Sequence, residues 1–193
     1  MRRKRRILII DGHPDADPGR LVHGLAAAYG EAADAGGHAV RTAVLATLDI
    51  VPLRSRSDWE HGEMSQAVGA VQQDLLWADH LVLLFPLWLG DMPALLKALL
   101  EQALRPGFAF REERGRLRPR LQDRSAHIIV TMGMPGMVYR LWFGAHAVKL
   151  IRRSIFGFVG IRPVRTTMIG SVERQGVPET ALRQMTRLGR RAR

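Results

Sequence analysis

The feature that most narrows the choice of fold is an alternation: five short apolar runs are separated by stretches of helical periodicity. Residues 6–10 are compactly aliphatic and run into Asp11-Gly12, which reads as a strand meeting a turn. Residues 38–45 alternate through Val40, Thr42 and Val44, the pattern of a half-exposed edge strand. Residues 80–85 are apolar on both faces, as a strand central in a sheet must be. Residues 126–132 and 163–169 predict the fourth and fifth strands. Parallel neighbours need crossover connections, so strands separated by helices predict an α/β fold with a parallel sheet. Right-handed crossovers then place helices on both faces, giving three layers.

Asp17-Pro18 predicts an N-cap followed by proline at the first helical position. Leu21, Val22, Leu25, Tyr29, Ala32 and Ala33 continue at helical spacing, and Gly36-Gly37 can end that helix. Further helices are expected over residues 65–77, 92–104, 138–153 and 178–188. The polar, glycine-punctuated stretch 111–123 reads as an excursion or short hairpin. The edge-like second strand fits the order 2-1-3-4-5, whose switch point between the first and third strands forms a ligand crevice.

The length of 193 residues predicts a single domain, with basic tails at 1–5 and 189–193 expected to be disordered. There is no cysteine, which excludes a disulfide scaffold, a thiolate metal site and a cysteine nucleophile; no metal site is expected. The basic start, Met1 to Arg6, is followed by too short an apolar run for a signal peptide. The longest apolar stretch, 81–89, falls far below the roughly 20 residues of a membrane span. A cytoplasmic protein with no integral membrane segment is therefore expected. The net charge of +11 lies at both ends and in 111–124. It forms no stripe interleaved with aromatics, so it reads as solvated tails and loops, with no nucleic-acid partner.

In such a sheet, ligands bind beyond the carboxyl ends of the strands. The segment 11–20 runs into a helix N-terminus, where free N–H groups and the dipole favour a phosphate, and His13 and Arg20 could assist. No GxGxxG or Walker A sequence accompanies it, and Asp15 and Asp17 count against a bare phosphate site. The segment 85–93 places large apolar groups where polar turn residues are usual. That suits a flat aromatic ligand covered by Trp88, although ordinary core packing of Trp88 is the alternative. In the third segment, 131–136, Gly133 and Gly136 allow close backbone approach. Tyr139 and His146 follow, seven apart, and would share a face of one helix.

The segment FPLWLGDMPALLKALLEQALRPGFAF, residues 85–110, resembles the signature of the NAD(P)H dehydrogenase (quinone) family of flavodoxin-like proteins. ILIIDGHPD, VTMGMPGMVY and GFVGIRPV are similar to further motifs of that family, in the same order. The resemblance implies a flavodoxin-like sandwich with non-covalently bound FMN or FAD and NAD(P)H as hydride donor. It also implies a homodimer with active sites at the subunit interface, and reduction of quinones or related small-molecule acceptors. Carried over by position, His13, Gly19, Arg20 and Leu21 would meet the flavin phosphate. Pro86, Leu87, Trp88, Leu89, Thr131, Met132, Gly133 and Met134 would hold the isoalloxazine ring. Tyr139 matches the family's active-site tyrosine, and His146 lies one position from the family's histidine. Where family members often carry Ser-Phe-Asn after the His-Pro loop, this chain has Pro18-Gly19-Arg20-Leu21.

The implied chemistry is ping-pong: NAD(P)H delivers a hydride to the flavin and leaves, and an acceptor then uses the same slot. Tyr139, with His146, would stabilise charge on the reduced ring or protonate the acceptor. Two rival classes are a non-catalytic flavodoxin-like regulatory or electron-carrier subunit, and a polyanion-binding protein driven by net charge. A stable semiquinone would mark the first, and affinity falling steeply with salt the second.

Overall fold

A computed structural model describes residues 4–192. In chain order the strands are β1 (Arg6–Asp11), β2 (Ala39–Val44), β3 (His80–Pro86), β4 (Phe110–Glu113), β5 (Arg116–Pro119), β6 (Ser125–Thr131) and β7 (Val164–Ile169). The helices are α1 (Leu21–Ala35), α2 (Arg56–His61), α3 (Gln66–Trp77), α4 (Ala94–Ala103), α5 (Gly136–Leu141), α6 (His146–Leu150), α7 (Gly157–Val159) and α8 (Val177–Gly189). Five strands form one parallel sheet in the order β2-β1-β3-β6-β7. This is the expected 2-1-3-4-5 order, because β4 and β5 pair only with each other as an antiparallel hairpin outside the sheet.

Strand periodicity decides which side chains meet which helices. Ile7, Ile9, Val82, Leu84 and Ile129 point to one face and pack with Val22, Leu25 and Tyr29 of α1 and Met185 of α8. Leu8, Ile10, Leu81, Leu83, Phe85, Ile128 and Val130 point to the other and meet α3 and α4 through Val71, Leu75, Leu96 and Leu99. Full burial of one such side chain contributes about 1.5–3 kcal/mol, against about 0–1 for an exposed ion pair. The two apolar layers, not the surface charges, hold the sheet. Glycine is required where β1 ends: a Cβ on Gly12 would lie 2.7 Å from both the Leu84 carbonyl oxygen and a Leu96 methyl.

Two expectations need correction. The first helix does not begin at Pro18. The Asp17 carboxylate accepts the Gly19 N–H at 2.9 Å and its carbonyl accepts the Arg20 N–H at 3.0 Å, so 17–20 form a turn and α1 starts at Leu21. The continuous helix over 138–153 is broken, because Gly144 and Ala145 both take positive φ, 63° and 49°. After α6, the segment Ile151–Phe156 winds as a π-helix. Of the expected tail 189–193, residues 189–192 are described. Gly189 closes α8 against the Tyr29 carbonyl and Ala192 is buried. At the other end, Arg5 bonds Ser125 Oγ and the Ala192 carbonyl; residues 1–3 and 193 lie outside the described residues.

Candidate active site

The loops after β1, β3 and β6 emerge side by side at the carboxyl edge of the sheet, as the strand order requires. Contacts tie them together. The Leu87 N–H donates to the Thr131 carbonyl at 2.8 Å, joining the second loop to the third. The His13 ring stands edge-on to Trp88 at 5.9 Å and tilted to His23 at 5.4 Å, joining the first loop to the second. The Met132 and Met134 carbonyls accept N–H groups of Val172 and Ser171, anchoring the third loop to the segment after β7. That approach is so close that a Cβ on Gly170 would fall 2.2 Å from the Gly136 nitrogen.

At the tip of the second loop, Trp88 and Asp91 exchange both backbone hydrogen bonds, at 2.9 and 3.0 Å. Leu89 and Gly90 between them take φ of 48° and 83°, which a two-residue turn of this type demands of both central positions. Leucine in that region is strained by roughly 1–2 kcal/mol, and Leu89 is fully exposed. Trp88 is half exposed, Gly133 is exposed, Pro86, Leu87 and Met134 are half-buried, and Thr131 and Met132 are buried beneath them. The residues expected to hold a flat ring thus form one apolar ledge with backbone accessible at Gly133.

The first loop is differently made. Asp11 ends β1 with its carboxylate buried, and it bonds His23 Nδ1 at 2.6 Å and the His13 N–H at 3.3 Å. His23 Nε2 lies 2.8 Å from the Asp15 carbonyl. Both partners of the His23 ring are acceptors, so the geometry calls for the doubly protonated imidazolium. Burial pulls the His23 pKa down, but the bonds to Asp11 and Asp15 outweigh it and leave it raised. His13 shifts the other way: burial and then the neighbouring His23 charge lower its pKa. Its Nδ1 accepts the Asp15 N–H at 3.1 Å, the role of a neutral ring. Arg20 does not face outward as a free cation, since its Nε and Nη2 meet the Asp15 carboxylate at 2.8 and 2.7 Å. Gly19 is exposed but its N–H is engaged by Asp17, and Leu21 is half-buried at the start of α1.

Tyr139 and His146 are not on one helix face. Tyr139 is buried in α5, its hydroxyl donating to the Gly90 carbonyl at 3.4 Å and facing the Ala147 and Val148 amides at the start of α6. Burial raises its pKa against the effect of those amides, so the hydroxyl keeps its proton. His146 is exposed beyond the Gly144-Ala145 break, its ring folded back toward Gly144. The sequence reading missed Asp11 and His23. They lie twelve residues apart with no motif spacing; the one available signal was an acid at the carboxyl end of a buried strand.

The exposed apolar tip at Trp88 and Leu89 offers a surface of the kind a flat ring covers, and the Leu21 and Val22 amides in the first turn of α1 have no intrahelical partner. With residues 5–188 matching the family profile, the chain belongs to the family described by its flavodoxin-like fold. Among curated proteins, it is similar to an uncharacterized NAD(P)H oxidoreductase of Haemophilus influenzae, with 25% identity over 125 residues covering 63% of this chain and 62% of the relative. It is also similar to the FMN-dependent NADH:quinone oxidoreductase of Beijerinckia indica, with 28% identity over 140 residues, covering 68% of this chain and 66% of the relative. The chain therefore meets less than two thirds of the length of each of these two relatives. Among solved structures, the NAD(P)H:quinone oxidoreductase of Methanothermobacter marburgensis superposes with a TM-score of 0.81 at 20% identity, over 99% of this chain and 100% of that one. At that identity the likeness concerns the fold.

Proposed function

We propose that the protein is a flavin-dependent NAD(P)H oxidoreductase that reduces quinones or related acceptors by two electrons. The observation that carries this reading is the apolar ledge of Trp88, Leu89 and Gly133, joined to the other loops through the Leu87–Thr131 bond and the His13–Trp88 contact. A strained, fully exposed leucine beside a half-exposed tryptophan is unusual on a surface facing only water, and a flat aromatic ligand would cover both. The names of the Haemophilus and Beijerinckia relatives support the same reading.

A bound flavin, FMN or FAD, would supply the two-electron carrier, taking a hydride from NAD(P)H and returning it to the acceptor in separate visits to one slot. This chain's residues position and exclude. Trp88 and Leu89 would cover the ring and exclude water from it, and the exposed Gly133 backbone would be open to its edge. Tyr139 holds a proton at its hydroxyl, raised in pKa by burial and directed at the Gly90 carbonyl of the Leu89–Gly90 turn. His146 takes a part only if the 142–146 segment closes over the ledge.

The reading includes a homodimer and a cytoplasmic location. Met137, Val138, Leu141, Trp142 and Phe143 expose apolar surface next to the ledge, where a second copy would cover it. Among the described residues, no helix is long and apolar enough to cross a membrane.

The test is the visible spectrum of the purified protein with added FMN or FAD, before and after anaerobic NADH or NADPH. A bound-flavin spectrum that bleaches directly to the two-electron reduced form is expected. A stable one-electron form that resists NAD(P)H would move the protein to the electron carriers, and retention of neither flavin would overturn the reading.

A further inference from the structure

The two basic ends of the chain, far apart in sequence, meet in space. Arg5, just before β1, donates through Nη1 to the Ala192 carbonyl at 3.3 Å and to Ser125 Oγ at 3.2 Å. This joins the C-terminal residues to the amino edge of the sheet, where β1 and β6 begin. The candidate active site lies at the opposite, carboxyl edge.

The two sides of α8 differ in kind. Ala181, Met185 and Gly189 are buried, Gly189 against the Tyr29 carbonyl of α1. Arg183 and Arg187 lie about one turn apart on the outer side and are exposed, and Arg190 and Arg191 continue the row past the helix end. The four side chains, with Thr186, surround one depression of about 430 Å³. Among the described residues none of the four is in an ion pair, and Arg183 donates to the Thr180 hydroxyl at 3.1 Å. Like charges three and four residues apart repel along a helix. The helix dipole favours cations only in the last turn, and the row starts before it, at Arg183. Lys4, exposed beside Arg5, adds a cation at the same edge.

A guanidinium offers phosphate a planar fork of donors, and both nucleic acid and anionic lipid present phosphate. α8 carries no aromatic residue on which a base could stack, and it is packed along α1, so its arginines form a row on one outer face. Such a row suits a flat anionic surface. We propose that the outer face of α8, with Lys4, docks the protein on an anionic phospholipid surface and leaves the carboxyl edge, with the candidate active site, uncovered. The attachment is electrostatic, so salt weakens it.

The experiment is co-sedimentation of the full chain with vesicles of phosphatidylcholine alone or with about one third phosphatidylglycerol, at low and high salt. The variant Arg183→Gln, Arg187→Gln, Arg190→Gln clears the face, and Arg114→Gln, Arg116→Gln, Arg118→Gln takes the same charge from the β4–β5 hairpin. Glutamine keeps helix propensity, and thermal melts check that each variant folds. The wild type and the hairpin variant are expected to bind the anionic vesicles and not the neutral ones, and the α8 variant to bind about a hundredfold more weakly. High salt should release the bound protein. Equal losses in the two variants would make net charge the cause and overturn the proposal. Binding to both kinds of vesicle, or to neither, overturns it as well. Duplex DNA bound more tightly than the anionic vesicles, with the same loss in the α8 variant, assigns the face to nucleic acid instead. Should the α8 variant not fold, trypsin cleavage of the wild type after Arg190 and Arg191 decides in its place. Slowing by anionic but not neutral vesicles supports the docking face, and an unchanged rate overturns it. No flavin enters the assay, so its outcome is independent of the flavin reading above.

Discussion

Replacing Asp11 by asparagine removes the charge opposite His23 while nearly conserving shape. The wild-type pair is 2.6 Å apart with side-chain exposures of 4% for Asp11 and 15% for His23, so solvent screens it little. Hydrogen bonds to charged groups contribute about 1.5–3 kcal/mol, and stripping a partner from a buried pair costs about 3–5. Asparagine still accepts the His13 amide, which points to the lower figure: a loss of about 2–3 kcal/mol at pH 6, or some 4–12 °C in Tm for a chain of this size. The pH dependence carries a definite sign. The folded His23 pKa is raised, so its stabilisation is full below the unfolded value near 6.5 and is lost as pH rises through the higher folded value. The gap between wild type and Asp11→Asn should therefore narrow from pH 6 to pH 8.5. Urea unfolding of both proteins at the two pH values measures it. An equal gap at both, or one below about 0.5 kcal/mol at pH 6, would refute the imidazolium assignment.

Gly12→Ala puts a Cβ 2.7 Å from backbone and core, so a destabilisation of about 2–4 kcal/mol is expected in thermal melts, and an unchanged Tm would contradict the packing at the end of β1. Tyr139→Phe should leave the fold intact and slow NAD(P)H-dependent turnover by about ten- to a hundredfold; stopped-flow reduction at the wild-type rate would remove Tyr139 from the chemistry. Buried His80 has its pKa lowered to about 3 by burial, then by Arg5, His127 and Arg165. A cationic group lowered in this way leaves stability full above pH 6.5 and eroding as pH falls toward 3, so His80→Asn should flatten the decline of urea midpoints between pH 6.5 and 4. Parallel curves for the two proteins would count against that source of acid sensitivity.

Local signals were accurate where the physics is local. Uninterrupted apolarity placed β3 in the middle of the sheet, and alternation through Val40, Thr42 and Val44 placed β2 at its edge. Ser65 caps α3 as its position suggests, its hydroxyl accepting the Val68 N–H at 3.3 Å. The short helix α2 went unseen although Ser55 caps it in the same way at Asp58, because six residues are too few for periodicity to register. The helix expected over 138–153 failed at Ala145, a residue whose type gives no warning of a positive φ. Asp17 misled because the same side chain can cap a helix or close a turn, and the choice depends on the chain beyond it.

Taken alone, the sequence determined the parallel α/β class, the edge position of the second strand and the three loops at the carboxyl edge. Each rests on side-chain periods of 2 or 3.6 and on turn residues that act within a few positions. The tertiary structure alone decided how the loops meet. It set the Asp11–His23 pair, the closure of Arg20 on Asp15, the contact of His13 with Trp88, and the separation of Tyr139 from His146. These depend on distances between chain-distant groups and on which carboxylate reaches an amide first. No periodicity encodes such outcomes, because they are settled only once two packed layers hold the strands at fixed spacing.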